Sequence, residues 1–382
     1  MKYSEITTPC YIVDEDKLIK NLEILQNVET ASGAHILLAQ KAFSCFATYP
    51  LIGKYISGTT ASGLYEARLG MEEMGKENHV FAPAFKDSEM PEIAEICDHV
   101  IFNSVNQLRH HLPVVSGKTS IGLRINPEVS TQEDHAIYDP CAPGSRLGVT
   151  RANLDKAIAE DSSFLDHIEG LHFHTLCEQN SDDLETTWNE FENKFADLLP
   201  RMKWLNMGGG HHITHDDYDR DLLISIVKTI REKYNLTVYL EPGEAIALNA
   251  GYLVTEVMDI VDNGIKVLIL DASAACHMPD VLEMPYRPPL QNSYKWGESD
   301  SAPYEYRLSS MTCLAGDVIG DYAFEKEVKI GDRLVFEDMA IYSMVKNNTF
   351  NGIGLPSIYL KRGDDYQLIK SFGYKDFKER LS

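Results

Sequence analysis

The feature that most limits how this chain can fold is an alternation, sustained from about residue 30 to 245, of short apolar runs with amphipathic stretches. His35-Ile36-Leu37-Leu38-Ala39 opens the series; Val80-Phe81-Ala82, His99-Val100-Ile101-Phe102 and residues 120–125, 170–174, 204–207 and 237–241 continue it. These runs have the length and the β-branched or large apolar side chains of buried strands. Between them, residues 184–199 and 220–234 place apolar side chains at helical spacing, and residues 45–55 suggest a further helix. Repeated strand–helix units imply a parallel sheet, and about eight of them over this length predict a closed (β/α)8 barrel of the triosephosphate isomerase type.

The pattern changes after residue 250. Residues 252–257, 266–270, 332–336 and 367–370 read as strands with few helices between them. The expected fold is therefore α/β plus all-β: a barrel over residues 25–248, and a second β-rich domain, barrel or sandwich, built from 1–24 and 249–382. With no repeat and no low-complexity linker, the two are expected to pack closely.

A formal net charge of −23 argues against nucleic acid, whose phosphates need a basic surface. It suits a cationic small-molecule substrate, and equally an acidic, solubilising surface. No apolar run is long enough to span a bilayer, and residues 1–9 lack a signal-peptide core. The seven cysteines include no Cys-x-x-Cys pair, unlike a disulfide framework or a zinc site. A cytoplasmic home is expected.

Chemistry collects where strands end, because strand C-termini face the active site of such a barrel. Lys41 follows the first strong strand; partial desolvation there would lower its pKa and free an amine for Schiff-base formation, although a surface lysine fits the same position. Met207-Gly208-Gly209-Gly210 follows another strand and reads as an anion cradle of backbone N–H groups or as a tight turn. In Leu240-Glu241-Pro242-Gly243-Glu244, Glu241 ends a strand, Gly243 can expose its backbone, and Glu244 sets an acid where an anion would want a cation. His172 and His174 are read as lying on opposite faces of one strand, with one ring inward against a flat ligand. With His211, His212 and His215 they also suggest a metal-dependent hydrolase, but no acid-rich metal motif accompanies them, so no metal is expected. Cys313, beside Gly316-Asp317, is a general acid or a small buried hydrophobe.

Taken in order, Ala39-Gln40-Lys41-Ala42, Gly170-Leu171-His172-Phe173-His174, Leu205-Asn206-Met207-Gly208-Gly209-Gly210, Glu241-Pro242-Gly243 and the Cys313 turn resemble the fold III pyridoxal phosphate decarboxylases, which share the barrel of the alanine racemases. Residues 122–128, 145–148, Tyr342 and Phe350-Asn351-Gly352 fit the same pattern, so the resemblance spans nearly the whole chain. It implies pyridoxal 5'-phosphate bound covalently by Lys41 and stacked on His174. Gly208, Gly209, Gly210, Gly243 and Tyr342 are implied at the phosphate, and Glu241 at the pyridine nitrogen. Cys313 is implied as the acid that returns a proton, reaching the active site of the partner in a homodimer.

Departures point to a branch. Glu244 stands where diaminopimelate and ornithine decarboxylases usually carry arginine, Leu314 replaces a frequent acid, and Thr175-Leu176-Cys177 replaces the usual residues after the histidine. Cys276-His277-Met278-Pro279-Asp280 and Tyr286-Arg287-Pro288-Pro289 complete a pattern similar to the decarboxylases of carboxynorspermidine and carboxyspermidine. That branch implies a substrate with a polyamine tail. The lost arginine and the local charge make Glu244 and Asp280 candidates to meet its ammonium groups; Arg287 is read as a contact for the α-carboxylate or as structural, and Asp317 is expected at the substrate. A diaminopimelate, ornithine or arginine decarboxylase is the alternative, and a non-catalytic cofactor-binding relative a second.

Overall fold

The computed structural model describes residues 1–132 and 139–382, which form two compact units, Met1–Lys20 with Ala247–Ser382, and Asn21–Ile246. Strand β1 (Cys10–Asp14) belongs to the first unit. The second is a closed barrel of eight strands: β2 (His35–Ala39), β3 (Gly58–Ala61), β4 (Glu77–Phe81), β5 (His99–Phe102), β6 (Ser120–Arg124), β7 (Gly170–His172), β8 (Trp204–Asn206) and β9 (Thr237–Leu240). All are parallel, and β9 closes the ring onto β2. One of them, β3, is absent from the sequence reading because Gly-Thr-Thr-Ala carries no large apolar side chain. The helix expected over 45–55 is a single short turn, Tyr49–Ile52, after a 3-10 turn.

Large rings fill the lower, N-terminal half of the barrel. Trp204 lies across it, and a Cβ on Gly170 or Gly122 would stand 2.0 or 2.4 Å from the indole, so those strands must carry glycine there. Trp204 Nε1 donates to Ser120 Oγ at 2.9 Å. Beside it, Glu77 accepts from Tyr239 Oη at 2.7 Å and lies 3.1 Å from both His35 Nδ1 and His79 Nε2. His79 stacks on His99 at 4.0 Å. Burial alone would raise the Glu77 carboxyl, but these donors hold it well below its ordinary value.

The other unit is one nine-stranded mixed sheet made from β1 and the strands after the barrel: β10 (Gly251–Asp262), β11 (Lys266–Leu270), β12 (Tyr294–Lys295), β13 (Tyr304–Ser310), β14 (Val318–Phe324), β15 (Arg333–Glu337), β16 (Ser357–Arg362) and β17 (Asp365–Lys370). The long β10 organises it. Its first half pairs with β1 and β15, and after a register shift at Val257 its second half pairs with β11. Tyr11, Leu253, Leu268, Tyr306, Tyr322 and Phe336 lead its core.

Glu77→Leu would strand three donors in a mostly buried layer and is expected to destabilise the protein by roughly 3 kcal/mol at neutral pH. Since the folded pKa of Glu77 is depressed, its contribution is present above the ordinary carboxylate value of 4.5 and lost as pH falls below it. Urea unfolding of both proteins at several pH values checks this: the gap between them should shrink in acid.

Candidate active site

The C-terminal end of the barrel gathers most of the residues singled out by sequence. At the end of β2, Ala39 N–H donates to Pro242 O at 3.2 Å and Gln40 N–H to Thr60 O at 3.1 Å, so the turn carrying Lys41 is tied to neighbouring strand ends. Gly243 belongs to the same junction, because a Cβ on it would meet Ala42 Cβ at 2.6 Å. The Lys41 side chain is open to water, yet protein crowds it on most sides. That crowding, and then Arg124, pulls its amine below the ordinary lysine range, with Glu241 opposing. Among the described residues the amine makes no hydrogen bond or ion pair.

Glu241 leaves the end of β9 and turns into the barrel, where it is 6% exposed. Asn206 Nδ2 donates to Oε1 at 2.8 Å, and His172 Nε2 lies 3.3 Å from Oε2. Burial opposes ionisation, but His172 and Asn206 outweigh it and bring the carboxyl down to about 2. His172 is itself kept neutral by burial and stacks on Phe81 at 5.4 Å. Arg124 lies over the other polar edge of this layer, 4.5 Å from the Phe81 ring, and donates to His174 O at 3.1 Å.

Both histidines turn inward, which corrects the reading that sets them on opposite faces. Residues two apart on a strand share a face. His174 Nδ1 accepts the Gly209 N–H at 2.9 Å. Burial drives its pKa well down, so the ring is neutral with its proton on Nε2. His212 lies 3.2 Å from Glu244 and His215 pairs with Asp217, while His211 is buried against the backbone of Met207 and Gly208. His212 and His215 pack against each other at 4.6 Å, and His172 and His174 serve Glu241 and the glycine turn.

The glycine cradle is also narrower than the sequence implies. Gly208, at φ +69°, gives its N–H to Asn206 Oδ1 at 2.8 Å, and Gly209 gives its own to His174. Only the Gly210 N–H is left uncommitted by the described residues. Gly209 is glycine for another reason: a Cβ there would sit 2.3 Å from Glu241 O.

Glu244 is partly buried and meets His212, whose pKa is lowered by burial but raised on balance by Glu244, Glu178 and Asp217. Cys177 shares this neighbourhood, close to Lys41, Glu178 and Glu244, and burial pushes its thiol up to about 11.

The remaining residues lie in the sheet unit. Cys313 is exposed on the turn between β13 and β14, with its N–H held by Asn351 Oδ1 at 2.7 Å. Asp317, expected at the substrate, is 1% exposed and accepts from Ser273 and Ser310 at 2.6 Å and from Thr312, which fixes that turn. Its oxygens are spent on the fold, so it shapes the setting of Cys313. Asp280 is ion-paired with Lys346, and Arg287 lies 4.8 Å over the Tyr322 ring at the edge of a hollow of about 600 Å³. Tyr342 takes a φ of +55°, strained for a non-glycine, just before the short helix Ser343–Lys346. The pairing of Asn206 and His172 with Glu241 is what sequence passes over. Their one signal is a polar side chain at the very end of an otherwise apolar strand.

Residues 10–340 match the family described as pyridoxal-dependent decarboxylase, C-terminal sheet domain. A carboxynorspermidine/carboxyspermidine decarboxylase of Campylobacter jejuni is 44% identical over the whole of both chains. A carboxyaminopropylagmatine decarboxylase of Synechocystis is 39% identical over all of this chain and 97% of its own. The crystal structure of the carboxynorspermidine decarboxylase of Campylobacter jejuni, complexed with norspermidine, superimposes with a TM-score of 0.91 at 42% identity, covering 98% of this chain and 100% of that one.

The depressed pKa of Lys41 yields a direct expectation. Borohydride reduction after incubation with pyridoxal phosphate should place the adduct on the Lys41 peptide, with labelling already strong at neutral pH. Peptide mass mapping checks this, and Lys41→Arg should lose the adduct.

Proposed function

The chain belongs to the pyridoxal-dependent decarboxylases, and from that membership we propose that it releases CO2 from carboxynorspermidine, carboxyspermidine or both, giving norspermidine or spermidine. One observation carries the reading: a buried carboxylate, Glu241, stays ionised beside a lysine of lowered pKa, while Glu244 adds a second acid three residues on. The residues present fit pyridoxal phosphate. Lys41 offers an uncommitted amine, Glu241 an ionised acceptor, and Gly210 an unused N–H next to backbone that only glycine can follow.

When bound, that cofactor supplies an electron sink for the pair left behind by CO2. Lys41, His174, Glu241 and Gly210 would hold it, with Gly243 and Tyr342 as further phosphate contacts. Glu241, fixed by His172 and Asn206, keeps a proton on whatever ring nitrogen faces it, because a buried anion favours the charged form of a basic neighbour. His174 presents a neutral ring whose tilt is set by the Gly209 N–H. Cys313 returns a proton to the substrate carbon in the site of a partner subunit, the chain acting as a homodimer. Its thiol is exposed on a turn braced by Asp317 and Asn351.

Glu244 meets the ammonium groups of the substrate tail in place of His212, and Asp280 is a second such acid once Lys346 releases it. Arg287, displayed over Tyr322, is a contact for the α-carboxylate. A cytoplasmic setting fits seven free cysteines, and no helix among the described residues is long and apolar enough to cross a membrane. A carboxylated aminopropylagmatine is the second reading, since its guanidinium tail would suit the same acids and a relative at 39% identity acts on that substrate.

Decarboxylation assayed against carboxynorspermidine, carboxyspermidine, carboxyaminopropylagmatine, meso-diaminopimelate, ornithine and arginine tests the proposal. Turnover should favour the carboxylated polyamines, and equal turnover of diaminopimelate would overturn the substrate assignment. Glu244→Gln should raise KM for carboxynorspermidine roughly tenfold with kcat little changed, as expected for a partly buried charge pair lost from binding. The raised pKa of His212 gives a pH dependence: as pH rises through its titration the imidazolium releases Glu244, so KM should fall. Finally, equal mixtures of Lys41→Ala and Cys313→Ala chains, each inactive, should recover about a quarter of wild-type activity if sites are shared across a two-fold dimer.

A further inference from the structure

We propose that Asn206 is a positioning residue that locks the two ends of the cofactor site to each other through a single side-chain amide. This rests on the reading of the barrel mouth as a pyridoxal phosphate site and adds to it a residue on which both halves depend.

Asn206 is the last residue of β8 and has no solvent exposure. Its Oδ1 accepts the Gly208 N–H at 2.8 Å, and its Nδ2 donates to Glu241 Oε1 at 2.8 Å. The Glu241 backbone N–H returns the connection by donating to Gly208 O at 2.7 Å. Three hydrogen bonds thus close a ring through the glycine turn, the amide and the carboxylate. Such a ring fixes the distance between the backbone that approaches a phosphate and the acid that faces a pyridine nitrogen.

The amide can sit in only one orientation. A backbone N–H is solely a donor and an ionised carboxylate solely an acceptor, so a flipped amide would set like against like at both ends. The ring also gives Gly208 a different task from Gly210. At φ +69°, and with Phe173 O only 2.5 Å from where a Cβ would be, Gly208 is the hinge of the turn, and its N–H is committed to Asn206. His172 takes the other oxygen of Glu241, so the carboxylate is clamped on both sides without being neutralised.

Exchange of donor and acceptor tests the idea. Asn206→Asp keeps an acceptor for Gly208 but sets a second anion against Glu241. In Asn206→Asp/Glu241→Gln the polarity of that bond is reversed and the ring can close again. Cofactor affinity, measured by equilibrium dialysis of pyridoxal phosphate, should fall about 100-fold in Asn206→Asp, yet by less than about tenfold when the same change is made in Glu241→Gln. Thermal midpoints of the cofactor-free proteins should follow the same order, the double variant lying above Asn206→Asp. Equal losses in the two backgrounds, or wild-type affinity in Asn206→Asp, would overturn the proposal. Should Asn206→Asp not fold, the comparison of Glu241→Gln with the double variant decides it, a loss near 100-fold there counting against the ring. A wild-type protein unable to bind pyridoxal phosphate would instead sink the reading on which the proposal rests.

Discussion

An ionised carboxylate buried inside a barrel is the constraint around which the rest of this site is arranged. Unpaired, Glu241 would gain a proton, because burial penalises the charged form. His172 and Asn206 reverse that outcome at the cost of two further buried polar side chains. Each of these then needs its own support. Phe81 packs against His172, the Gly208 N–H meets Asn206, and Arg124 spans from Phe81 to the backbone of His174. From this one charge the dependence spreads through β4, β6, β7, β8 and β9.

The opposing ends of the barrel use polar residues for different purposes. At the N-terminal end, Glu77 has donors around it from His35, His79 and Tyr239. At the C-terminal end the inventory is left incomplete: the Lys41 amine and the Gly210 N–H have no partner among the described residues. A closed polar cluster contributes to the fold, whereas unspent donors at a strand end are suited to binding. The acidic rim around Glu244, Glu178 and Asp217 adds a field that draws cations towards the same end.

Much of this was legible in the chain, and the failures have identifiable causes. Seven barrel strands show as apolar runs because both faces of a parallel strand are buried. Gly58–Ala61 does not, since its neighbours leave room only for small side chains: a Cβ on Gly58 would stand 1.9 Å from Glu77 O. Lys41, Glu241 and the glycine triplet stand out because their residue types are costly at strand ends unless used. The roles of Asn206 and Asp317 do not, for a shared reason. Sequence shows that a polar group is present but not which donors meet it, and for both residues the partners decide the role. Asp317 is surrounded by hydroxyls and braces a turn; Asn206 joins two groups that are distant in sequence. In the sheet unit, β13 and β14 go unread because partly exposed residues are interspersed with buried ones, which dilutes their apolar signal.

The charge held at Glu241 is what the rest of the site depends on. Its most direct measurement is the 15N chemical shift of pyridoxal phosphate labelled at the ring nitrogen and bound to the protein, followed with pH. A carboxylate brought down to about 2 predicts a pyridinium nitrogen throughout the stable range, converted to the neutral form in Glu241→Gln. A neutral pyridine nitrogen in the wild-type protein at neutral pH would contradict it.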